Sequence, residues 1–443
     1  MPGRFASVGL AGLRDTHAAL NAVRAYLDDR LAFFAGLLDE TGAAVPCRLV
    51  GGGYLLNSPE DIRHVLVRNP SGYVKSRRLA GPAAAYPTQN VLLTSRDLKH
   101  RRRRQLMQRA FRPFVEIVAE RTRVNAERLA RSLHDGGAVD LTEAMTALVQ
   151  RSLFEALAAS ATSETHDRLA AAVRERADAF DSHFVSLLPL PQFVPSAANR
   201  RLIRATRELR SAIAREVADR RASAERPDDL LSLLMEASDE DGARLDDHDV
   251  REEAISIALT GYDSVTQALQ WTLYLLARNR DADEKVAAEA RAATSAETSR
   301  PYALSVIRES LRLFPPTWIF VRIAGADDRL PSGTTISRGA KLYLCPYVVH
   351  RNPHLWPEPE RFRPHRFGPD ARNGRPRYAY FPFGGGPHVC IGEVLAVTQI
   401  AIVLASVVPR RRLTLPSAQT VVPYAGLSLR PSAAVMMHAQ ARA

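Results

Sequence analysis

The sequence predicts a mainly α protein with small β-sheets, an α+β fold in which residues 1–443 form a single domain. Helical periodicity covers most of the chain, in residues 16–38, 96–133, 141–158, 163–184, 199–221, 249–278 and 301–313. Short apolar stretches typical of strands lie near both ends, in residues 45–50, 54–57, 334–336, 341–344 and 411–415. Because strands from such distant segments must pair with one another, they favour one domain over two.

Local signals bound these elements. Proline-rich stretches at residues 193–199 and 353–369 mark loops. Asp246 is a suitable N-cap for the long central helix, with Asp249 three residues further on. A helix from there to residue 278 is roughly 45 Å long, so it is expected to cross the whole domain.

Composition indicates an ordinary soluble globular protein, with 46% hydrophobic and 24% charged residues. The chain has three cysteines, Cys47, Cys345 and Cys390. So sparse and odd a number argues against a disulfide framework and for a reducing compartment. Cys47 and Cys345 lie in apolar, strand-like stretches, which predicts a structural role for both.

Residues 1–40 predict neither a signal peptide nor a membrane anchor. Charged residues interrupt this segment, and no apolar run approaches the ~20 residues that a spanning helix needs. The 53 residues after Cys390 are too few for a fused reductase domain. We therefore expect a cytoplasmic monomer without a stable membrane anchor.

The net charge of +12 permits an acidic or anionic partner. The densest basic cluster is residues 100–104, one histidine followed by four arginines. As a nucleic-acid tract it is short and lacks interleaved aromatic residues for base stacking. A solvated helix face is the simplest interpretation, and nucleic acid is not expected as a partner.

A glycine-rich loop with one cysteine is the strongest chemical signal, and it reads FGGGPHVCIG from Phe383 to Gly392. Glycines such as Gly386 let a backbone approach a large flat ligand. The apolar helical run that follows directs its N-terminal amides at Cys390, which favours a thiolate. A thiolate is an electron-rich axial ligand for haem iron. The competing interpretation is a small buried apolar residue.

The middle of the central helix carries a second signal. Gly261 costs about 1 kcal/mol relative to alanine there, and the Ser264 hydroxyl can bond back to the carbonyl of Thr260. Such a turn beside the acid–alcohol pair Asp263 and Ser264 offers a groove where dioxygen can sit and receive protons. The alternative is a helix with an incidental glycine.

Glu309 and Arg312 form a third signal, because their i, i+3 spacing puts both charges on one helix face. Alone, such an ion pair is common on exposed helix faces. Here Pro315 and Pro316 follow it closely, and it precedes the cysteine loop.

Taken in order, these motifs resemble the cytochrome P450 family over the chain from about Thr41 to its end. The loop matches F-x-x-G-x-x-x-C-x-G, and Glu309 and Arg312 match E-x-x-R. The helix segment departs from A-G-x-[DE]-T, with Thr260 in place of alanine and Ser264 in place of threonine. The resemblance implies the P450 fold and a soluble, bacterial-type haem-thiolate monooxygenase.

The resemblance also implies a second arginine beside Glu309 and Arg312, behind the haem. Residues 359–362 spell the string PERF and offer Arg361. The longer family pattern P-x-x-F-x-P-E-R-F instead places Arg366 there, with His365 in place of the glutamate. Arg366 is the preferred assignment.

Haem b is the implied cofactor, with Cys390 as its metal ligand. The remaining residues expected to contact it are His100, Arg104, Arg322, Phe383, Gly386, His388 and Gly392. Arg101, Arg102 and Arg103 are expected to form a surface that docks a separate ferredoxin or flavodoxin, which acts with its own reductase.

The implied substrate pocket is apolar, which predicts a neutral hydrophobic small molecule. The residues expected to line it are Leu92, Phe184, Leu259, Trp318, Ile319, Phe320 and Tyr424. Terpenoid or polyketide scaffolds of secondary metabolism fit this lining, and so do fatty chains and steroids. The implied reaction activates O2 to hydroxylate or epoxidise the substrate, with Thr260, Gly261, Asp263 and Ser264 at the catalytic turn.

Two alternative functions also require a haem. A peroxide-driven peroxygenase needs no reductase, but the retained pair of Asp263 and Ser264 argues against it, since peroxide brings its own protons and electrons. A non-catalytic haem sensor is disfavoured because no signalling or DNA-binding domain is recognisable in the sequence.

Overall fold

A computed structural model describes residues 20–39, 42–49, 52–76, 91–185, 194–223, 225–239, 242–292, 301–368 and 374–442. The chain divides into two compact units. The β unit comprises Met1–Ser76, Trp318–Arg361 and Gly374–Val389. The helical unit comprises Arg77–Thr317, Phe362–Asn373 and Cys390–Ala443. That residues 1–443 form one P450 domain stays a prediction.

The secondary structure is mostly helical. The helices are α1 Arg30–Ala35, α2 Pro59–Arg63, α3 Asp97–Ser132, α4 Leu141–Leu157, α5 Ser163–Val185, α6 Ala197–Ala222, α7 Leu230–Glu236, α8 Asp247–Arg278, α9 Arg280–Ala292, α10 Pro301–Leu313, α11 Pro346–Val349 and α12 Glu393–Val407. The strands are β1 Val45–Pro46, β2 Tyr54–Leu55, β3 Tyr73–Lys75, β4 Ala138–Asp140, β5 Phe320–Ala324, β6 Asp328–Arg329, β7 Thr335–Ile336, β8 Lys341–Leu344, β9 Arg411–Thr414, β10 Pro423–Ala425, β11 Leu429–Pro431 and β12 Met436–Ala441.

The β unit is built on a five-stranded sheet in the order β1-β2-β8-β5-β3. Its strands come from two distant parts of the chain, and β2 pairs in parallel with β8 while β5 pairs antiparallel with β8 and β3. The cysteines predicted to be structural lie here. Burial raises the pKa of Cys47 to about 11 and that of Cys345 to about 12, so both thiols stay protonated at neutral pH.

The helical unit is organised around α8, whose side chains are buried along most of its length. Helices α4 and α6 pack against α8, while α3 packs against α4 and α12. A sheet in the order β4-β12-β9 joins the start of α4 to the end of the chain, and β10 and β11 form a separate hairpin. The predicted fold class, mainly α with small β-sheets, is confirmed.

The helix boundaries predicted from periodicity agree closely with the structure except over residues 16–38, where the helix is interrupted at Asp29 and α1 spans Arg30–Ala35. Asp246 caps α8 by accepting the N–H of Asp249 at 2.7 Å. The sequence patterns missed helices α2, α7, α9 and α11 and the strands β3, β4, β5, β6, β10, β11 and β12. Strand β12 has alternating burial but is composed of Met, His, Ala and Gln, which have weak strand preference. Its sheet partners, not its composition, determine its conformation. Among the described residues, no helix is long and apolar enough to cross a membrane.

Asp328 is a polar hub in the β unit. Its Oδ2 accepts hydrogen bonds from the Tyr73 hydroxyl at 2.7 Å and from Asn69 Nδ2 at 3.1 Å, and it lies 2.8 Å from His64 Nε2. These partners outweigh the desolvation of its carboxyl and lower its pKa from 3.8 to about 2. A depressed folded-state pKa stabilises the fold above the unfolded-state pKa, and that contribution is lost as pH falls towards 2.

We predict that Asp328→Asn lowers the free energy of unfolding at pH 7 by about 1–2 kcal/mol, after discounting for the partly exposed carboxyl. Urea unfolding at several pH values should show the difference from the wild type shrinking below about pH 4. Asp281→Asn, at an exposed ion pair with Lys285, is the control. A difference that does not vary with pH would contradict the role of the Asp328 charge.

Candidate active site

The middle turn of α8 is the accessible part of an otherwise buried helix. Residues 252–258 and 265–273 are buried, whereas Leu259, Thr260, Gly261, Asp263 and Ser264 are not. The helix is therefore buried on both sides of this turn and accessible at the turn itself. The structure thus brings the predicted catalytic residues together at one opening in the helical unit.

The helix passes through this turn without a break. The Ser264 hydroxyl donates to the Thr260 carbonyl at 3.0 Å, as predicted, and Thr260 Oγ1 donates to the Ser256 carbonyl at 2.8 Å. A Cβ on Gly261 would lie 3.4 Å from a Leu153 methyl carbon, so the glycine also serves close packing against α4. The expected loosening of the turn does not interrupt α8, because these hydroxyls supplement the helical backbone bonds and do not replace them.

Asp263 is held by partners that the sequence did not reveal. Its Oδ2 accepts the Ser428 hydroxyl at 2.6 Å, and its Oδ1 accepts Gln267 Nε2 at 3.1 Å. Burial raises its pKa above the ordinary value, although the hydrogen bonds from Ser428 and Gln267 and the charge of Arg430 act against the rise. A carboxyl with a raised pKa retains its proton more readily near neutral pH.

Ser428 lies between β10 and β11, and this connection is tied to α5 as well. The Leu427 N–H donates to Asp181 Oδ1 at 2.5 Å, and Arg430 lies 3.4 Å from Asp181 Oδ2. A Cβ on Gly426 would come within 2.4 Å of the same Asp181 oxygen, so only glycine fits there. Ser428 is 165 positions from Asp263 in the chain, and no local pattern could have predicted their contact.

The glycine-rich loop owes its composition to packing within the β unit. Gly386 has φ +65°, and a Cβ there would lie 1.8 Å from the Leu66 carbonyl oxygen. A Cβ on Gly385 would lie 2.5 Å from the Tyr378 ring. Gly384 has φ +74° and open space around its Cβ position. Phe383 is half-buried, and His388 ends the short 3₁₀ turn Gly386–His388.

Cys390 differs from the other cysteines because it is exposed. Desolvation by the surrounding protein raises the pKa of its thiol, whereas the Gly392 N–H and the Arg104 guanidinium lower it and Glu393 raises it. The predicted stabilisation of the thiolate by backbone amides is therefore present at Gly392. Desolvation outweighs it, so the pKa of the Cys390 thiol is raised. An accessible thiol at the start of α12 is not the buried apolar residue of the competing interpretation.

The basic residues proposed to hold propionates lie in both units. On α3, His100 is buried, and Arg104 is exposed and close enough to Cys390 for each to affect the pKa of the other. On β5 in the other unit, Arg322 is buried, and among the described residues its contacts are the Val321 carbonyl and the Phe320 ring.

Arg322 provides a test of whether the residues present fit a haem. Burial, with no opposing carboxylate, lowers the pKa of Arg322 to about 10. A buried guanidinium without an anionic partner is costly, and a propionate would supply that anion. Cys390 in the helical unit presents an accessible thiol as a donor, and Arg322 in the β unit presents a buried positive charge, so each residue is suited to a haem.

Glu309 and Arg312 form a fully buried ion pair, with Arg312 Nε 2.7 Å from Glu309 Oε2 and Arg312 Nη2 2.9 Å from Oε1. Arg366 Nε lies 3.3 Å from Oε1, and the Arg363 N–H donates to the same oxygen at 2.8 Å. Arg361 instead pairs at the surface with Glu358. The geometry places Arg366, not Arg361, beside Glu309.

The predicted docking surface of Arg101, Arg102 and Arg103 requires a correction. Arg102 lies 2.6 Å from Asp239, and Arg103, which is only 14% exposed, bridges Asp249 and Glu253. Carboxylates therefore pair with both charges, although the Arg102 side chain is 58% exposed. Arg101 stays exposed, but the cluster as a whole does not present three free positive charges.

The predicted substrate residues are distributed unevenly. In the helical unit, Leu92 and Leu259 are half-buried, and the Arg430 guanidinium lies 4.7 Å from the centre of the Tyr424 ring. Phe184 lies in α5, and its side chain is outside the described part of the structure.

In the β unit, Trp318 is 1% exposed and packs edge-on against Phe34, and Ile319 is also buried. Both side chains are buried in that unit, and their predicted place in the substrate pocket stays a prediction. Phe320 is half-buried against Phe381 and Arg322.

Comparison with known proteins identifies the class. The cytochrome P450 family profile matches residues 52–437. Cyclooctat-9-en-7-ol 5-monooxygenase of Streptomyces melanosporofaciens is 32% identical over 401 residues, covering 86% of this chain and 84% of that protein. Pentalenene oxygenase of Streptomyces avermitilis is 29% identical over 404 residues, covering 87% of this chain and 85% of that protein.

Solved structures show the same fold. A retinoic acid-bound cyanobacterial P450 superposes with a TM-score of 0.79 at 20% identity, over 90% of this chain and 92% of that one. The heme domain of a mutant cytochrome P450 superposes with a TM-score of 0.81 at 20% identity, over 94% of this chain and 95% of that one. The chain belongs to the cytochrome P450 family, and it is a haem-dependent monooxygenase that acts with O2 on a hydrophobic substrate.

Replacing Gly386 by alanine should destabilise the fold strongly, because its Cβ would overlap the Leu66 carbonyl. We expect a loss of about 3 kcal/mol or more in urea unfolding, with reduced haem content. Gly384→Ala is the matched control, since it shares the positive φ but has open space and should cost about 1–2 kcal/mol. Equal losses for the two variants would contradict the packing explanation.

Arg366→Ala should lower the free energy of unfolding by about 1–3 kcal/mol, because it removes a positively charged partner from the buried Glu309 carboxylate. Arg361→Ala, at a side chain that is 69% exposed, should change it by less than about 0.5 kcal/mol. Chemical denaturation of both variants measures the contrast. A larger loss of unfolding free energy for Arg361→Ala than for Arg366→Ala would instead assign Arg361 to the buried ion pairs of Glu309.

Proposed function

We propose that this monooxygenase takes electrons from a separate ferredoxin or flavodoxin with its reductase, and hydroxylates or epoxidises a neutral terpenoid in secondary metabolism. The observation that carries the proposal is the accessible turn of α8, where two hydroxyls and a carboxyl with a raised pKa lie between two buried stretches of the helix. The relatives from Streptomyces, named for cyclooctatin-type and pentalenene substrates, support the terpenoid class.

Haem b fits the residues present, with Cys390 as the axial ligand. His100, Arg104, Arg322 and His388 are proposed to compensate the propionates, and Phe383, Gly386 and Gly392 to shape the loop beside the ring. When bound, the haem supplies dioxygen activation and oxygen-atom transfer. The protein holds the cysteine accessible, excludes water and directs protons to the opening.

Protons are proposed to pass from Asp263 to Ser264. The raised pKa of Asp263 favours a carboxyl that carries a proton, and the Ser428 and Gln267 bonds fix its orientation. The Ser264 O–H is donated to the Thr260 carbonyl, so its oxygen lone pairs remain able to accept a proton while its own hydrogen could be passed on at the accessible face of the turn. Thr260 adds a second hydroxyl on the same accessible face.

The compensated charges near the predicted pocket residues of the helical unit support a neutral substrate. Asp181, the acid closest in the chain to the predicted pocket residue Phe184, is compensated by Arg430 and the Leu427 N–H. Leu92, Leu259 and Tyr424 offer apolar or aromatic surface. No uncompensated cation among these residues would select the carboxylate of a fatty acid.

We predict that Ser264→Ala retains haem and substrate binding but releases a larger share of its reducing equivalents as hydrogen peroxide. The physical reason is loss of the hydroxyl that hands on protons. Ser264→Thr, which keeps the hydroxyl and adds the methyl that restricts its rotamer, is the matched control and should couple at least as tightly as the wild type. Product formed per NAD(P)H consumed is the measurement.

Unchanged coupling in Ser264→Ala would remove Ser264 from the proton route. Peroxide supplied without a reductase separates the peroxygenase alternative, since a peroxygenase should turn over faster with peroxide than with a ferredoxin system.

The substrate class is tested by titrating polycyclic terpene hydrocarbons and alcohols, steroids and long-chain fatty acids into the ferric protein. The terpenes should shift the Soret band at the lowest concentrations and yield oxygenated products. Preference for a fatty acid or a steroid would overturn the terpenoid assignment while leaving the monooxygenase chemistry intact.

A further inference from the structure

A separate cavity of about 410 Å³ lies in the helical unit, where α9, β9 and β12 meet. It is lined by Glu284, Arg291, Arg412, Ala441 and Arg442. None of these residues belongs to the candidate active site. The lining is therefore dominated by guanidinium groups, with one carboxylate and one small apolar side chain.

The charged groups around this cavity form an alternating chain. Arg280 Nε lies 2.9 Å from Glu284 Oε1, and Arg412 Nη2 lies 2.7 Å from the same oxygen. Arg412 Nε lies 3.5 Å from Asp283 Oδ2, and Arg442 pairs with that same Asp283 oxygen. Two guanidinium groups therefore converge on a single buried carboxylate atom.

Positive charge exceeds negative charge in this cluster. The cations that line the cavity are Arg291, Arg412 and Arg442, and the anions are Glu284 and the Asp283 that pairs with Arg412 and Arg442, which leaves an excess of one positive charge.

The most deeply placed of the cations is Arg442, whose side chain is only 5% exposed. Its Nε, like that of Arg412, is buried and has no hydrogen-bond acceptor among the described residues. Buried donors without acceptors cost free energy, and an anion in the cavity would satisfy them.

We propose that this cavity binds a small, multiply charged anion of the phosphate class, such as a diphosphate group. Guanidinium groups donate paired hydrogen bonds that match phosphate oxygens. The volume lies within the range of small-molecule sites and accommodates more than one phosphoryl group. Because Arg442 is recessed while Arg412 is 27% exposed, a small anion reaches both, whereas side chains on the flat surface of a protein partner would not.

Isothermal titration of the haem-loaded protein with inorganic diphosphate tests the proposal, at an ionic strength held constant with KCl. Arg291→Gln should weaken binding by about tenfold or more, because a charge-assisted hydrogen bond contributes roughly 1.5–3 kcal/mol. Arg280→Gln is the matched control. It removes the same charge from the same helix, but Arg280 does not line the cavity, so its dissociation constant should stay within about twofold of the wild type.

Titrations with other anions identify the class of ligand. Diphosphate and a nucleoside diphosphate binding more tightly than monophosphate, sulfate or citrate would support the assignment. Equal binding of citrate would contradict the phosphate class. Equal weakening by Arg291→Gln and Arg280→Gln, or no saturable heat in the wild type, would overturn the site, and a circular dichroism melt of each variant confirms that it is folded.

Discussion

A carboxylate without access to water organises the helical unit. Glu309 is fully buried and accepts hydrogen bonds from Arg312 and from the Arg363 backbone, with Arg366 beside it. A buried carboxylate is tolerated only when such donors surround it. Because Arg312 lies on α10 while Arg363 is 54 positions from Glu309 in the chain, this requirement ties residues 363–366 to α10.

The active-site helix α8 is constrained in a related way. Glu252 accepts hydrogen bonds from Nε and Nη2 of Arg210 in α6, at 3.0 Å each, and Glu253 accepts the Leu92 N–H at 2.8 Å. Burial raises the pKa of Glu253 to about 7 despite the nearby charge of Arg103. These partners hold the N-terminal half of α8 rigidly, so the open turn further along is presented by a fixed scaffold.

Much of this arrangement was predictable from local patterns. The boundaries of α8 and α10, the Asp246 cap, the Ser264–Thr260 bond and the spacing of Glu309 and Arg312 all depend on residues within one or two turns. Choosing Arg366 over Arg361 needed the longer family pattern. The class of protein followed because several short motifs occurred in the expected order, although each motif alone was ambiguous.

Contacts between distant segments were not predictable. Ser428 meets Asp263, and Arg103 meets Asp249 and Glu253, only because α8 packs against the terminal hairpin and α3. Arg103 therefore looked like a free surface charge in the sequence, although it is an internal partner. Trp318 was placed near the substrate by family pattern, whereas its packing against Phe34 depends on a helix near the other end of the chain.

The central claim is that Cys390 supplies the thiolate of a haem enzyme. The most direct measurement is the reduced, carbon monoxide-bound absorption difference spectrum of the purified protein, beside Cys390→His and the control Cys345→Ser. The account predicts a strongly red-shifted Soret band in the wild type and in Cys345→Ser, and its loss in Cys390→His. A band typical of histidine-ligated haem in the wild type, or folded protein that binds no haem, would contradict it.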